Sequence, residues 1–124
     1  PTKGTANACN APSLVVKINE VESNLGVPDD WVELVNTGGE AVDVSGFVFR
    51  DNNDGGGYTI PAGTTIPAGG YLVLDVAQFG FGLGGEDAAR LFAPGGTTLV
   101  DSYSWTTHAG TTYGRCPDGT GAFT

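Results

Sequence analysis

The sequence predicts an all-β protein, folded as a sandwich of two mostly antiparallel sheets with about 7 to 9 short strands. Three observations support this prediction. Apolar residues come in short runs with a period of two, turn-forming residues separate the runs, and 21 Gly and 7 Pro fall among 124 residues. No window of ten or more residues has a convincing helical period. The best helix candidate, EDAARLF (86–92), is too short to be stable as a helix by itself.

Alternation is clearest in the first two predicted strands, and each of them contains a glutamate. In LVVKINEV (14–21), Glu20 falls on the apolar face, at the end of its row. In DWVELVN (30–36), Glu33 falls on the face opposite Val32. Because side chains alternate strictly along a regular strand, the two glutamates are expected to face opposite sides of the sheet.

Turn residues separate the strands that follow. Gly46 interrupts VDVSGFVF (42–49), which indicates a bulge or bend where another backbone comes close. Ile-Pro-Ala-Gly then occurs twice, at 60–63 and 66–69. Pro in second place and Gly in fourth place are typical of type I turns.

Three more strand segments complete the predicted sandwich. YLVLD (71–75) is a strand, ARLFAPGGTTLVDSYSW (89–105) is a hairpin around Pro-Gly-Gly, and TTYGRC (111–116) is the last strand. The number and spacing of these segments indicate an immunoglobulin-like sandwich. We assign residues 14–124 to this single domain and residues 1–13 to an N-terminal linker.

The charge of the chain excludes some classes of partner. Fourteen acids and five bases give a net charge of −9, and the bases are scattered. Nucleic-acid binding is therefore not expected, since affinity for phosphate backbones depends on clustered cations. No apolar run approaches the roughly 20 residues that span a bilayer, so membrane insertion is not expected either. We expect a monomer.

The chain contains two cysteines, Cys9 and Cys116. They can be two reduced, buried residues of a cytosolic protein, or they can form a disulfide. Each lies at one end of the folded region among small, polar or turn residues, which favours the disulfide. A disulfide that closes a loop of about 100 residues stabilises a fold by about 4 to 5 kcal/mol in the chain-entropy model. The bridge and the acidic, Met-free composition indicate an extracellular location.

An ordered set of motifs resembles the lamin tail domain, in particular its bacterial version. These motifs cover nearly everything from Leu14 to the end of the chain: INEV, DWVELVN, GEAVDVSGF, YTIPAGTTIPAGGYLVL, GTTLVDSYSW and YGRCPDGTGAF. The resemblance implies an immunoglobulin-like sandwich without activity of its own. It also implies a module of secreted or surface proteins, often attached to hydrolases, that tethers or targets them. The acidic charge departs from the nuclear version, so a nucleic-acid role is not carried over.

Two constellations of residues suggest catalysis. Glu20 and Glu33 are a candidate glycosidase pair, which needs two carboxyl groups at one cleft. Their predicted opposite orientations favour an architectural role instead. A Ser-His-acid set can be drawn from Asp101, the nearby serines 102 and 104, and His108, but no nucleophile-elbow motif surrounds either serine. We therefore predict no catalytic residues.

The loop RDNNDGGGY (50–58) is a candidate calcium site. Asp51, Asn53 and Asp54 supply oxygen ligands of the kind that calcium prefers. The loop does not fit the EF-hand template, and the same residues make tight turns without any ion. No cofactor is required by the sequence, and calcium is the one that it allows.

Aromatic residues late in the chain are candidates for a ligand or partner surface. Tyr103 and Trp105 share a face by alternation, as in sugar-stacking platforms, although such pairs are more often part of a core. Phe79 and Phe81, set among glycines, suggest an exposed apolar loop.

The sequence thus predicts a non-catalytic interaction or structural module of a secreted or cell-surface bacterial protein. Its partner is expected to be a protein or a cell-surface polysaccharide. One alternative is a calcium-stabilised carbohydrate-binding module, which requires an ion at the 51–54 loop and an exposed Trp105. A second alternative is a small glycoside hydrolase that uses Glu20 and Glu33.

Overall fold

A computed structural model describes residues 15–23, 30–108 and 112–123, which contain eleven strands and one short helix. In chain order these are β1 (Val16–Glu22), β2 (Trp31–Asn36), β3 (Val42–Asp43), β4 (Val48–Arg50), β5 (Tyr58–Thr59), β6 (Thr65–Ile66), β7 (Tyr71–Asp75), α1 (Val76–Phe79), β8 (Asp87–Phe92), β9 (Leu99–Trp105), β10 (Tyr113–Cys116) and β11 (Ala122–Phe123). The strand number exceeds the predicted 7 to 9 because β3, β5, β6 and β11 have two residues each, too few to show a period.

The strands form two larger sheets and a small one. The five-stranded sheet has the order β11-β10-β1-β2-β7, the four-stranded sheet has the order β5-β4-β8-β9, and β3 pairs with β6. Every pairing among the described strands is antiparallel. Side chains from both larger sheets, including Ile18, Leu34, Phe49 and Leu91, meet in one buried cluster. The predicted all-β, immunoglobulin-like sandwich is confirmed.

A bulge in β1 changes which of its residues face the core. Ile18 pairs with Leu34 and Glu20 pairs with Glu33, so Asn19 is one extra residue on β1. Beyond a bulge the alternation resumes one residue out of step. Val21 therefore occupies the core row, and the expected place of Glu20 at the end of that row is wrong.

The predicted turns occur, one residue later than expected. The N–H of Gly70 donates to the carbonyl of Pro67 at 2.8 Å, so Pro67 is the first residue of its turn and not the second. Gly69, in third place, has φ +68°, as in a type II turn and unlike the predicted type I. Gly46 has φ +82° in the turn that precedes β4, so the chain bends there.

The segment that came closest to a helical pattern is a strand, β8. It pairs with both β4 and β9, and β8 and β9 form the predicted hairpin. The actual helix, α1, begins after Asp75, whose carboxylate caps the Gln78 N–H while the Gln78 side chain accepts from the Asp75 N–H. The strand predicted to be last is β10, and it is followed by β11.

The predicted linker, residues 1–13, lies outside the described residues. The domain boundary stays a prediction.

Candidate functional site

The outer face of the five-stranded sheet brings Glu20 and Glu33 together. They are paired across β1 and β2, and both side chains are partly exposed. Glu20 accepts a hydrogen bond from the hydroxyl of Thr112 at 2.5 Å, and Glu33 accepts one from the Asn19 amide at 2.8 Å. The expectation that the glutamates face opposite sides is wrong, because the bulge at Asn19 puts them in register.

Asn19 is the centre of a polar network on this face. Its Nδ2 donates to Glu33 and, at 3.3 Å, to Asp118 Oδ1, while its Oδ1 accepts the Gly119 N–H at 2.7 Å. Asp118 Oδ2 in turn accepts a hydrogen bond from the Tyr71 hydroxyl at 2.7 Å. This bond, supported by burial and by nearby carboxylates, raises the pKa of Tyr71. The network ties the turn after β10 to β1 and β7.

A cleft of about 380 Å³ lies beside this network. Its lining residues are Asn19, Glu20, Thr112, Gly114, Arg115, Cys116 and Asp118. Glu33 is absent from the lining, so the two glutamates do not converge on one cavity as a glycosidase pair must. Their hydrogen bonds with Thr112 and Asn19 give both carboxylates a structural role.

Asp101 and Arg115 join the two larger sheets where β9 passes β1. Asp101 Oδ2 accepts both the Ile18 N–H at 2.8 Å and an Arg115 Nη2–H at 2.9 Å. Arg115 Nε–H donates to the Ile18 carbonyl at 2.8 Å. The ion pair therefore satisfies the N–H and C=O groups of Ile18, since β10 pairs with β1 only at Glu20 and Val21. Sequence reasoning missed this pair, although the alternation of Asp101 with Tyr103 places its side chain on the inner face.

The Ser-His-acid candidates do not assemble. Asp101 lies opposite the buried Leu91, whereas the adjacent serines 102 and 104 point to the other face of β9. His108 Nδ1 is hydrogen-bonded at 2.8 Å to the hydroxyl of Ser23. Each member of the proposed set thus has a separate environment.

The oxygens of the candidate calcium loop are used in local contacts. Asp51 Oδ1 accepts the Asn53 N–H at 2.9 Å, and Asn53 Oδ1 accepts the Gly55 N–H at 2.8 Å. Asp54 forms an ion pair with Arg90 at 2.7 Å. Within the described ranges, no group of three or more His, Cys, Asp or Glu side chains could hold a metal ion. These contacts are those of tight turns and account for the loop without an ion, so the calcium site stays an untested alternative.

The candidate aromatic platform is mostly buried. Trp105 is 5% exposed and its indole N–H donates to the Gly84 carbonyl at 2.8 Å, so the exposed Trp105 required by the carbohydrate-binding alternative is not found. Tyr103 stacks on Phe123 with ring centroids 4.0 Å apart. Phe79 is 5% exposed and packs against the partly buried Phe81. The expected exposed loop is wrong for Phe79, since its ring completes the core.

A comparison with protein families matches residues 10–107 to the lamin tail domain. The chain belongs to the lamin tail domain family. Lamin tail domains are immunoglobulin-like and generally act as non-catalytic interaction modules that need no cofactor. No individual curated protein matches this lamin tail domain. None of its described helices is long and apolar enough to cross a membrane.

Cys116 ends β10 and is exposed. Its expected partner, Cys9, lies outside the described residues. The disulfide therefore stays a prediction.

Exposed apolar residues occur at a place that sequence reasoning did not single out. Tyr71 and Val73 on β7 are 47% and 43% exposed, and Leu99 on β9 is 52% exposed. Tyr71 and Val73 are next to each other on the outer face of the five-stranded sheet. Alternation along YLVLD pairs them, but it does not reveal that β7 lies at a sheet edge.

Proposed function

We propose that this lamin tail domain is a non-catalytic interaction module of a secreted or cell-surface bacterial protein, and that it tethers or targets the larger protein. One observation carries the proposal: the candidate catalytic side chains that the structure describes are engaged in contacts that hold the sandwich together. Glu33 binds Asn19, Asp101 binds Arg115, and His108 binds Ser23. Because these groups are engaged in structural contacts, we infer that the domain acts through its exposed surface.

The charge distribution supports a protein or polysaccharide partner rather than a nucleic acid. Each described arginine is engaged by the fold: Arg50 by two carbonyls, Arg90 by Asp54, and Arg115 by Asp101. With a net charge of −9, the domain offers no concentrated cationic surface among its described residues. The acidic composition and the predicted disulfide between Cys9 and Cys116 support an extracellular setting.

Fusion to a fluorescent protein tests the tethering role. The fusion and the fluorescent protein alone are added to intact cells of the source strain, and cell-bound fluorescence is measured after washing. We expect retention of the fusion only. Equal signals from the two proteins contradict the proposal.

A hydrolase assay tests the absence of catalysis. The purified domain is incubated with chromogenic glycosides, and no turnover above buffer is expected. Turnover that disappears in Glu33→Gln, while the folded state persists, identifies a glycosidase instead.

A further inference from the structure

The four edges of the two larger sheets differ in how they are protected. β11 and β5 have two residues each, too few to accept another strand. β9 is longer, but its register shifts near Val100 and its inner face packs against β1 and β10 through Asp101 and Tyr103. β7 has five residues, an unbroken register with β2, and no Pro, Lys or Arg. Natural edges are usually shortened, bulged or charged, and β7 has none of these features except Asp75 at its end.

The backbone of β7 has hydrogen-bonding groups directed away from β2. The Asn36 N–H donates to Gly70 O, and the Val76 N–H donates to Asp30 O, both at 2.9 Å. Bonds between antiparallel strands involve alternate residues, so the even-numbered residues 70–76 face β2. The N–H and C=O groups of Tyr71 and Val73 therefore point to the outer side of β7. No described strand pairs with that side.

The side chains around this edge combine apolar and acidic surface. Tyr71 and Val73 expose nearly half of their surface. Glu33 lies directly across from Val73 on β2, and Asp75 is on the same face two residues further along β7. Asp118 reaches the hydroxyl of Tyr71. Neither β2 nor β7 contains a basic residue, and Lys17 lies one strand further away on β1, so the surface next to the β7 edge is acidic around an apolar centre.

We propose that β7 is the docking edge of the domain, at which an extended basic segment of a partner protein adds a sixth strand to the five-stranded sheet. The proposal rests on the interaction role proposed above and names its site and the chemistry of its partner. Main-chain bonds to Tyr71 and Val73 provide affinity, as in other cases of strand addition. An apolar residue of the segment covers Val73. Lysine or arginine side chains on either side extend toward Asp75 on β7 and toward Glu33 on β2, which is about two strand spacings of roughly 4.8 Å away.

A capped peptide, Thr-Lys-Thr-Val-Thr-Arg-Thr, is the probe. Alternation puts its basic, apolar and basic side chains on one face. Three control peptides separate the contributions. Two carry N-methyl groups on alternate amides, one on the set that faces β7 and one on the set that faces away, and the third has glutamate in place of Lys and Arg. We expect binding to weaken about tenfold or more when the amides that face β7 are methylated, and likewise when the charges are reversed. If the two N-methylated peptides bind equally well, strand addition is overturned.

Amide hydrogen exchange reports the geometry directly. On addition of the peptide, exchange of the Tyr71 and Val73 amides is expected to slow, while the Leu72 and Leu74 amides, already bonded to β2, change little. Protection elsewhere without change at Tyr71 and Val73 overturns the proposal.

Two matched variants test the surface. Val73→Lys places a like charge against the peptide and is expected to weaken binding about tenfold. Leu99→Lys replaces another exposed aliphatic residue, on β9, and is expected to leave binding within about twofold. Equal effects of the two variants contradict a site at β7. Concentration-dependent dimerisation that Val73→Lys abolishes, without peptide binding, assigns the edge to a second copy of the chain and overturns the basic partner.

The cell-retention assay distinguishes this proposal from the proposed function. Retention of the fusion that survives Val73→Lys leaves the tethering role intact and refutes the β7 edge. If the unmodified fusion is not retained on cells, tethering is refuted. The peptide titration then still tests whether β7 binds a basic strand.

Discussion

Glu20 and Glu33 lie directly opposite each other on β1 and β2, although strict alternation along the sequence assigns them to opposite faces. The extra residue, Asn19, moves Glu20 out of the core row. It also places an amide donor next to Glu33 and Asp118, so that one buried side chain binds two carboxylates. The glutamates are thereby part of the sheet's architecture.

Asn19→Asp is expected to destabilise the domain by about 2 to 3 kcal/mol, because it replaces a buried donor with a third carboxylate. Urea unfolding at neutral pH measures the change. Asn53→Asp is the matched control in an exposed loop, where the accepting oxygen is kept, and is expected to cost less than about 0.5 kcal/mol. Equal effects at the two positions would show that the Asn19 network does not stabilise the fold.

Asp101→Asn is expected to cost about 2 to 4 kcal/mol, since it leaves the guanidinium of Arg115 without its counter-ion in a largely buried site. Asp54→Asn makes the same chemical change in the exposed pair with Arg90, where the Asp54 side chain is 87% exposed. That control is expected to cost at most about 1 kcal/mol. The free energies of unfolding of both variants are compared at one ionic strength, and a larger loss at Asp54 would contradict this ranking.

Calcium is expected to leave the thermal midpoint unchanged to within about 1 °C, because the oxygens of Asp51 and Asn53 accept backbone N–H groups and Asp54 binds Arg90. Unfolding is followed in excess calcium and then in chelator, without reductant. A rise of several degrees, as expected for a ligand at about 100 times its dissociation constant, would establish a calcium site. If Asp51→Asn abolished this rise, the calcium site would lie in this loop.

Tyr71 is expected to make stability fall at high pH. Its pKa is raised in the folded state by the hydrogen bond to Asp118, by burial and by nearby carboxylates. Its contribution is therefore fully present below the unfolded value near 10 and is lost as pH rises through the folded value. Phenolate absorbance should show that the Tyr71 hydroxyl deprotonates at a higher pH than an ordinary tyrosine. This titration step should be missing in Tyr71→Phe. Tyr103, whose pKa is raised chiefly by burial, continues to titrate late in that variant.

The predicted bridge between Cys9 and Cys116 leaves no thiol to react with a thiol reagent in the unfolded, unreduced protein. Reduction, or Cys116→Ser, is expected to lower stability by about 4 to 5 kcal/mol in the chain-entropy model. Two reactive thiols per chain after purification without reductant would contradict the bridge and weaken the extracellular assignment.

Local patterns predicted much of the fold. The apolar period of two identified the long strands, and the segment 89–105 was correctly assigned as a hairpin because its turn residues and its alternation lie next to each other in the chain. Strands of two residues, such as β3 and β6, have no period to detect. The capping box of α1 is a local signal that sequence reasoning missed, because one turn of helix does not show a helical period.

The candidate site was less predictable. Trp105 and Tyr103 were correctly placed on one face by alternation, but alternation does not say whether that face meets solvent or, as here, the strands β10 and β11. The exposure of Val73 likewise depends on β7 being the last strand of its sheet.

By itself, the sequence determined the all-β class, the family, the acidic charge and the order of the long strands. These follow from composition, from local period and from an ordered set of motifs. Only the tertiary structure decided that Glu20 faces Glu33, that Asp101 binds Arg115, and that β7 is an open edge. Such facts depend on register and on neighbours distant in the chain, and a single added residue in a strand reverses the face of every side chain beyond it.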